Sequence, residues 1–207
     1  FASNRIFKIF PETEWRPTFY TCQDGVVFES IQDELKSVVS QSELAFISTN
    51  QYTKCENEIK ELTNVLWMPL RYIPPRKNIY RFSENIEKEI IEGLTVTYSC
   101  MQLAVYMGFT EIYLLGVDHN YAIEFDSDGN IVNESKGIKN YFGSEENQNV
   151  ATTPPKVIEM SRAFISANKF SKTHGFTIYN ATRGGKLEVF RRVDFDKISQ
   201  LSAKTQE

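Results

Sequence analysis

A cluster of polar side chains directly follows a nearly continuous apolar run. The run spans residues 111–117, and Asp118, His119 and Asn120 come immediately after it. In open α/β sheets, ligands bind at the carboxyl ends of the strands. Asp118 could hold a ribose hydroxyl or a metal ion, His119 could act as a general acid or base, and Asn120 could orient a substrate. The alternative is a capping aspartate and a solvated histidine, but the density of functional side chains favours a site.

A second candidate lies at the start of a predicted helix, where Thr95, Val96 and Thr97 follow Gly93. The backbone N–H groups at a helix start bind anions, and the two hydroxyls could assist. Threonine is also a common helix cap. This motif by itself therefore favours capping over phosphate binding.

A third candidate is the loop at residues 180–186, which combines a glycine pair with an amide and two cations. Such a loop suits a phosphate or a carboxylate. An ordinary glycine turn is an equal alternative, and the bidentate donor geometry of Arg183 favours the binding interpretation.

Short apolar runs alternate along the chain with longer stretches of helical period. This alternation is typical of an α/β, Rossmann-like domain, with a mostly parallel sheet and helices on both faces. We predict one such domain over residues 1–207. The predicted strands are 18–21, 44–48, 65–68, 111–117 and 177–180, and the predicted helices are 27–39, 94–107 and 154–173.

Residues 121–149 differ from the rest, because they are rich in Asp, Asn, Glu, Ser and Gly. Only a hairpin-like stretch at 121–132 stands out. Long inserts of this kind are often lids or binding loops, so we expect a mobile, lid-like insert directly after the central strand.

The composition excludes several classes of protein. A net charge of −4 argues against a nucleic-acid surface. Three widely spaced cysteines and two histidines indicate neither a disulfide framework nor a zinc cluster. No apolar run approaches the ~20 residues that a membrane-spanning helix needs. We therefore expect a soluble, cytoplasmic protein without a transmembrane segment.

The stretch from Thr95 to Asp118, T-V-T-Y-S-C-M-Q-L-A-V-Y-M-G-F-T-E-I-Y-L-L-G-V-D, resembles the helix-strand core of the family 42 bacterial sialyltransferases. Residues 1–6 resemble their second strand with its asparagine. Residues 10–24 and 178–190 resemble a broader group that includes motility accessory factors, implicated in flagellin glycosylation, and archaeal 6-hydroxymethylpterin diphosphokinases.

The resemblance implies a domain that binds a nucleotide donor. In such a domain, the cytidine monophosphate part of the donor would contact Asn4, and the donor phosphate would lie on the loop before the helix. The resemblance also matches Asp118 to an aspartate of the family. Tyr121 would offer its phenol to the leaving phosphate. The nucleotide-binding residues implied are Asn4, Gln23, Asp24, Thr95, Val96, Thr97, Asn180, Thr182 and Arg183.

The chain departs from the sialyltransferase pattern at two places. Where those enzymes have a catalytic histidine, residues 141–145 read Tyr-Phe-Gly-Ser-Glu. Ser144 is a poor base, so His119 or Glu145 is the candidate replacement. The family's glycine-rich G-x-G-P-S loop is absent, and we therefore expect a fragment that lacks the first strand of the domain.

The leading hypothesis is a glycosyltransferase that moves a sialic-acid-like sugar from a CMP-activated donor to a surface glycan or protein. His119 would be the base, with Asp118 and Tyr121 beside it, and neither a metal nor another cofactor is required.

The first alternative is a diphosphokinase that acts on a pterin alcohol, with magnesium held by carboxylates such as Asp24 and Asp118. The second is a nucleotide-binding domain that has lost catalysis. The resemblance to the sialyltransferases also allows for a homo-oligomer.

Overall fold

Parallel strands alternate with helices along the chain. The computed structural model describes residues 1–119, 124–125, 131–132 and 156–198. Its strands are β1 (Ala2–Ser3), β2 (Phe19–Cys22), β3 (Leu44–Ser48), β4 (Val65–Met68), β5 (Leu70–Arg71), β6 (Ile90–Ile91), β7 (Glu111–Leu114), β8 (Glu124–Phe125), β9 (Ile131–Val132), β10 (Thr177–Asn180) and β11 (Arg191–Arg192). Its α-helices are α1 (Gly25–Ser30), α2 (Gln32–Ser40), α3 (Asn57–Lys60), α4 (Val96–Tyr106) and α5 (Val157–Ser171), and 3-10 helices span Ile6–Glu12 and Thr49–Lys54.

The main strands form two parallel sheets. The order is β1-β2-β3-β4 in the first sheet and β11-β10-β7 in the second. β5 and β6 form a further parallel pair, while β8 and β9 pair antiparallel, as predicted for the hairpin in the insert. These parallel sheets interleaved with helices confirm the predicted α/β fold, consistent with a Rossmann-like domain.

The first sheet is covered by helices on both faces, because its strands carry apolar side chains on alternate sides. Tyr20 and Ile47 pack with α1, α2 and α3, whereas Phe46 and Met68 pack on the opposite face with Leu103 of α4. α4 also contributes to the core of the second sheet through Tyr98 and Met101. This helix therefore connects the two sheets.

The second sheet packs against α4 and α5 on one face only, within the part of the chain that the structure describes. Leu114 and Ile178 point into that core with Phe164 of α5. On the other face, the rings of Tyr113 and Tyr179 stack at 5.0 Å, and Tyr113 is 37% exposed.

Two predicted elements differ from those in the structure. The strand predicted at 111–117 ends at Leu114, since Leu115 is already exposed and Gly116 takes a left-handed φ of +68°. The helix predicted at 27–39 is two helices, because Ile31 has a non-helical φ of −125° and interrupts the helical ladder.

Within the described residues, no helix is long and apolar enough to cross a membrane.

Candidate active site

The carboxyl end of β1 carries the first predicted site residue, Asn4. Its backbone N–H donates to the Thr21 carbonyl at 3.2 Å, and its carbonyl accepts from the Tyr20 hydroxyl at 2.8 Å. These bonds hold Asn4 in a left-handed conformation, with φ at +53°. The side-chain Oδ1 of Asn4 is buried and has no hydrogen-bond partner in the described part of the chain. It is therefore a buried acceptor that the described residues leave unsatisfied.

At the end of β2, the predicted residues Gln23 and Asp24 already have structural contacts. Gln23 is buried, and its Oε1 accepts a 2.6 Å hydrogen bond from the Ser99 hydroxyl of α4. This bond ties the end of β2 to the first turns of α4. Asp24 is exposed and caps α1, with Oδ1 accepting from the Val27 N–H at 2.9 Å.

The start of α4 has the capping geometry that the sequence allowed. Thr95 is the N-cap, and its hydroxyl accepts from the Thr97 N–H over a long 3.4 Å. Leu94, just before it, has φ at +60°, which is unusual for a bulky residue. Gly93 is required here, since an added Cβ would lie 2.4 Å from Cγ of Tyr98. Capping is confirmed, and anion binding at Thr95, Val96 and Thr97 stays a prediction.

Glu92 is a site residue that the sequence did not reveal. It follows β6, and its backbone N–H donates to the Arg71 carbonyl at 2.8 Å. Burial raises the pKa of Glu92, the Asp24 carboxylate raises it further, and Lys156 at the start of α5 lowers it. The Asp24 carboxylate therefore influences the charge on Glu92, and Glu92 precedes the helix cap at Thr95 by three residues.

The loop after β10 packs against the segment that follows β7. The Lys186 N–H donates to the Asp118 carbonyl at 2.6 Å. Gly185, with φ at +77°, approaches so closely that an added Cβ would lie 2.6 Å from Cα of Asp118. Only glycine fits this position without displacing one of the two segments.

The polar groups of this loop are used largely within the loop itself. The Asn180 amide donates to the Leu187 carbonyl at 2.7 Å and accepts from the Thr182 N–H at 3.0 Å. The Thr182 hydroxyl accepts from the Val117 N–H at 3.1 Å. Arg183 is exposed and pairs with Asp196 at 2.6 Å. The contacts of Asn180 and Thr182 thus position the loop, and the nucleotide contacts of all three residues stay predictions.

His119 is held by the first turns of α5. Its Nε2 lies 2.7 Å from the Ser161 hydroxyl, which itself donates to the Val157 carbonyl at 2.9 Å. Since that hydroxyl has a single proton, Nε2 must be the protonated nitrogen and donate to Ser161. Nδ1 then carries the basic lone pair. The sequence could not reveal this partner, which lies 42 residues further along the chain.

Burial lowers the pKa of His119, and the neighbouring Asp118 offsets part of this effect. As the pH falls below about 6.5, the unfolded chain therefore binds the proton before the folded chain does, and stability falls with it. We predict that wild-type protein loses stability relative to the His119→Asn variant between about pH 6.5 and 5. Urea unfolding at several pH values measures this difference.

The control is His174→Asn, at the only other histidine in the sequence. This variant should lose stability at low pH as the wild-type protein does. Equal pH dependence in wild type and His119→Asn would contradict the burial effect.

Three predicted residues or segments lie outside the described residues, namely Asn120, Tyr121 and residues 141–145. Within the described residues, no group of three or more His, Cys, Asp or Glu side chains could hold a metal ion.

A protein-family model described as 6-hydroxymethylpterin diphosphokinase MptE-like matches residues 1–124, which is more than half of the chain. This region includes β1 to β7, α4 and the site residues from Asn4 to His119. The match supports the diphosphokinase group among those that the sequence resembles, whereas it does not directly support the sialyltransferases or the motility accessory factors. Comparisons with curated proteins and with solved structures gave no match.

Proposed function

Because the chain belongs to the 6-hydroxymethylpterin diphosphokinase MptE-like family, we propose that it transfers a diphosphoryl group from ATP to a hydroxymethyl alcohol of the pterin type. The observation that carries the proposal is the place of Glu92 three residues before the cap of α4, where the Asp24 carboxylate raises its pKa. Phosphoryl transfer depends mainly on positioning and on neutralising phosphate charge. This part of the site offers groups for both tasks.

Magnesium is the metal that this reaction implies, and the donor set fits it. Mg²⁺ prefers hard oxygen ligands and is usually held by one or two carboxylates together with substrate phosphates. Asp24 and Glu92 would supply the two carboxylates. When bound, the ion would neutralise part of the charge on the transferred phosphates.

The chain's own groups would hold the donor. The N–H groups at the start of α4 and the hydroxyls of Thr95 and Thr97 would bind phosphate oxygens. Lys156 would add positive charge near Glu92. Oδ1 of Asn4, which lacks a partner among the described residues, would accept a hydrogen bond from the nucleoside.

His119 is our candidate for the general base. The acceptor hydroxyl would lose its proton to the imidazole of His119 as its oxygen attacks the β-phosphorus of ATP. The bond from that phosphorus to the bridging oxygen of the α-phosphate breaks, and AMP leaves. Since the pKa of His119 is lowered, the imidazole is neutral and able to accept a proton at neutral pH.

Glycosyl transfer from a CMP-activated sugar is the second candidate. The same neutral His119 favours it, since that reaction needs a base but no metal. The two functions differ in their nucleotide and in their dependence on magnesium.

Thermal-shift measurements separate the candidates. The melting temperature of the protein would be followed with ATP, CMP, CDP and UDP, each with and without Mg²⁺. We expect ATP with Mg²⁺ to stabilise the protein most, by about 2.7 kcal/mol at one hundred times the Kd. Selective, metal-independent stabilisation by CMP would favour glycosyl transfer, and stabilisation by none of the four nucleotides would contradict both proposals.

A further inference from the structure

A tight turn at Arg76–Ile79 carries two exposed cations. The Arg76 N–H donates to the Ile79 carbonyl at 3.2 Å, and the Ile79 N–H donates back at 3.0 Å. Lys77 and Asn78 both have left-handed φ angles, of 51° and 62°. Turns of this kind usually carry Asn-Gly or Asp-Gly, because other side chains are strained there. Lys77 therefore stands at a position that folding alone would give to asparagine or glycine.

The segment around this turn is strongly basic in a chain that is acidic as a whole. Residues 71–83 contain four cations and no Asp or Glu. Arg81 pairs with Glu89 at 2.6 Å, and Arg71 lies 3.9 Å from the same carboxylate. Arg76 and Lys77 form no ion pair with any residue that the structure describes. Their charges are thus available to an anion.

The two cations border a surface cavity with a largely apolar floor. The cavity has a volume of about 570 Å³, which is a usual size for a small-molecule site. Ile79, Tyr80, Phe82 and Phe170 line it, and the rings of Phe82 and Phe170 stack at 4.9 Å. Tyr80 is only 3% exposed, and its hydroxyl has no hydrogen-bond partner among the described residues.

We propose that this cavity binds a small amphipathic anion. The apolar chain or ring of the ligand would lie on Phe82 and Phe170, and its phosphate, sulfonate or carboxylate group would bind Arg76 and Lys77. An inorganic anion alone would make no use of the aromatic floor, and a neutral apolar ligand would make no use of the cations. The proposal does not depend on the proposed transferase activity.

Binding of 1-anilinonaphthalene-8-sulfonate tests the proposal, because this probe combines an aromatic body with a sulfonate. Its fluorescence would be titrated with wild-type protein and with the variants Lys77→Asn and Arg76→Gln. We expect each variant to bind the probe about fivefold to tenfold more weakly. Lys77→Asn should fold at least as well as wild type, since asparagine tolerates left-handed φ. Lys36→Gln, on helix α2, which packs against the first sheet, makes the same charge change, and this variant should bind the probe like wild type.

Competition identifies the class of ligand. Monomeric dodecyl phosphate should displace the probe, whereas inorganic phosphate and ATP at the same concentration should not. Sedimentation with phosphatidylglycerol vesicles that is lost in Lys77→Asn would support the proposal with a lipid as the source of the anion. Displacement by dodecyl phosphate without sedimentation would support it with a free ligand. Equal probe binding by wild type and both cavity variants, or displacement by inorganic phosphate alone, would overturn it.

Discussion

Replacing Glu92 by glutamine is expected to remove the magnesium-dependent part of ATP binding and to stabilise the protein near neutral pH. The pKa of Glu92 is raised in the folded chain, chiefly by burial and then by Asp24. A folded state that favours the protonated carboxyl loses stability as the pH rises from the ordinary glutamate pKa of about 4.3 through the raised pKa, and the loss is complete above it. The Glu92→Gln substitution removes the charge and with it this destabilising effect. Stability and binding should thus change in opposite directions.

For binding, we expect the magnesium-dependent affinity for ATP to fall by about 100-fold or more. Loss of a group that only supports a metal ligand already lowers metal affinity by about 10-fold to 100-fold. Isothermal titration with and without Mg²⁺ measures the loss, and urea unfolding at pH 7 measures the stability. Glu84→Gln is a matched control, because Glu84 is an exposed carboxylate eight residues earlier in the chain. Full magnesium dependence in Glu92→Gln would contradict the proposed metal site.

The Asp24→Asn substitution tests the other carboxylate without disturbing the fold. Asparagine caps helices as well as aspartate does, so the bond to the Val27 N–H can persist. The same loss of magnesium dependence is therefore expected, with little change in the free energy of unfolding. Loss of binding together with unfolding would instead indicate a purely structural role for Asp24.

The second large effect concerns Gln102 of α4, whose side-chain amide makes four hydrogen bonds to backbone groups beside the candidate site. Its Oε1 accepts from the N–H groups of Ser83 at 2.9 Å and Ile91 at 3.0 Å. Its Nε2 donates to the Ile91 carbonyl at 2.8 Å and to the Tyr98 carbonyl at 3.2 Å. All of these groups are buried away from water. Gln102 thus fixes Ile91, the residue next to Glu92, against α4.

We predict that Gln102→Leu lowers the free energy of unfolding by about 3–5 kcal/mol, because each buried group left without a partner costs roughly 1–3 kcal/mol. Leucine is close to glutamine in size, so the effect reports hydrogen bonding more than packing. Urea unfolding measures it, and hydrogen exchange at the Ile91 amide should accelerate. Gln32→Leu, which removes a single bond to the Phe28 carbonyl, is the control. A loss below about 1 kcal/mol in Gln102→Leu would contradict this role.

The fold could be predicted from the sequence where local patterns are strong. The strand predicted at 44–48 matches β3, because four of its five residues are buried and its first four residues are all apolar. Glu92 was not predicted as a candidate site residue, because the local pattern around it is weak. It follows β6, a strand of two residues that is too short to show any periodicity. Short strands defined by tertiary contacts leave little signal in the sequence.

The site could be predicted in part, since strand ends and a helix start are local features. What the sequence could not show is which polar groups the protein uses internally. Asn180 looks like a ligand-binding amide, yet both ends of that amide bond to the chain itself. Likewise, the Gln23 side chain binds Ser99 across 76 residues of sequence. Such contacts depend on the packing of distant segments, which no single-sequence pattern specifies.

In the proposed function, donor phosphates bind at the start of α4, near Asp24 and Glu92. Two-dimensional ¹H–¹⁵N spectra of the protein titrated with ATP and Mg²⁺ test it most directly. We predict that the largest shifts occur at the backbone amides of Val96 and Thr97, with smaller shifts next to Asp24. Shifts confined to residues 76–82, or no shifts at the start of α4 at saturating nucleotide, would contradict it.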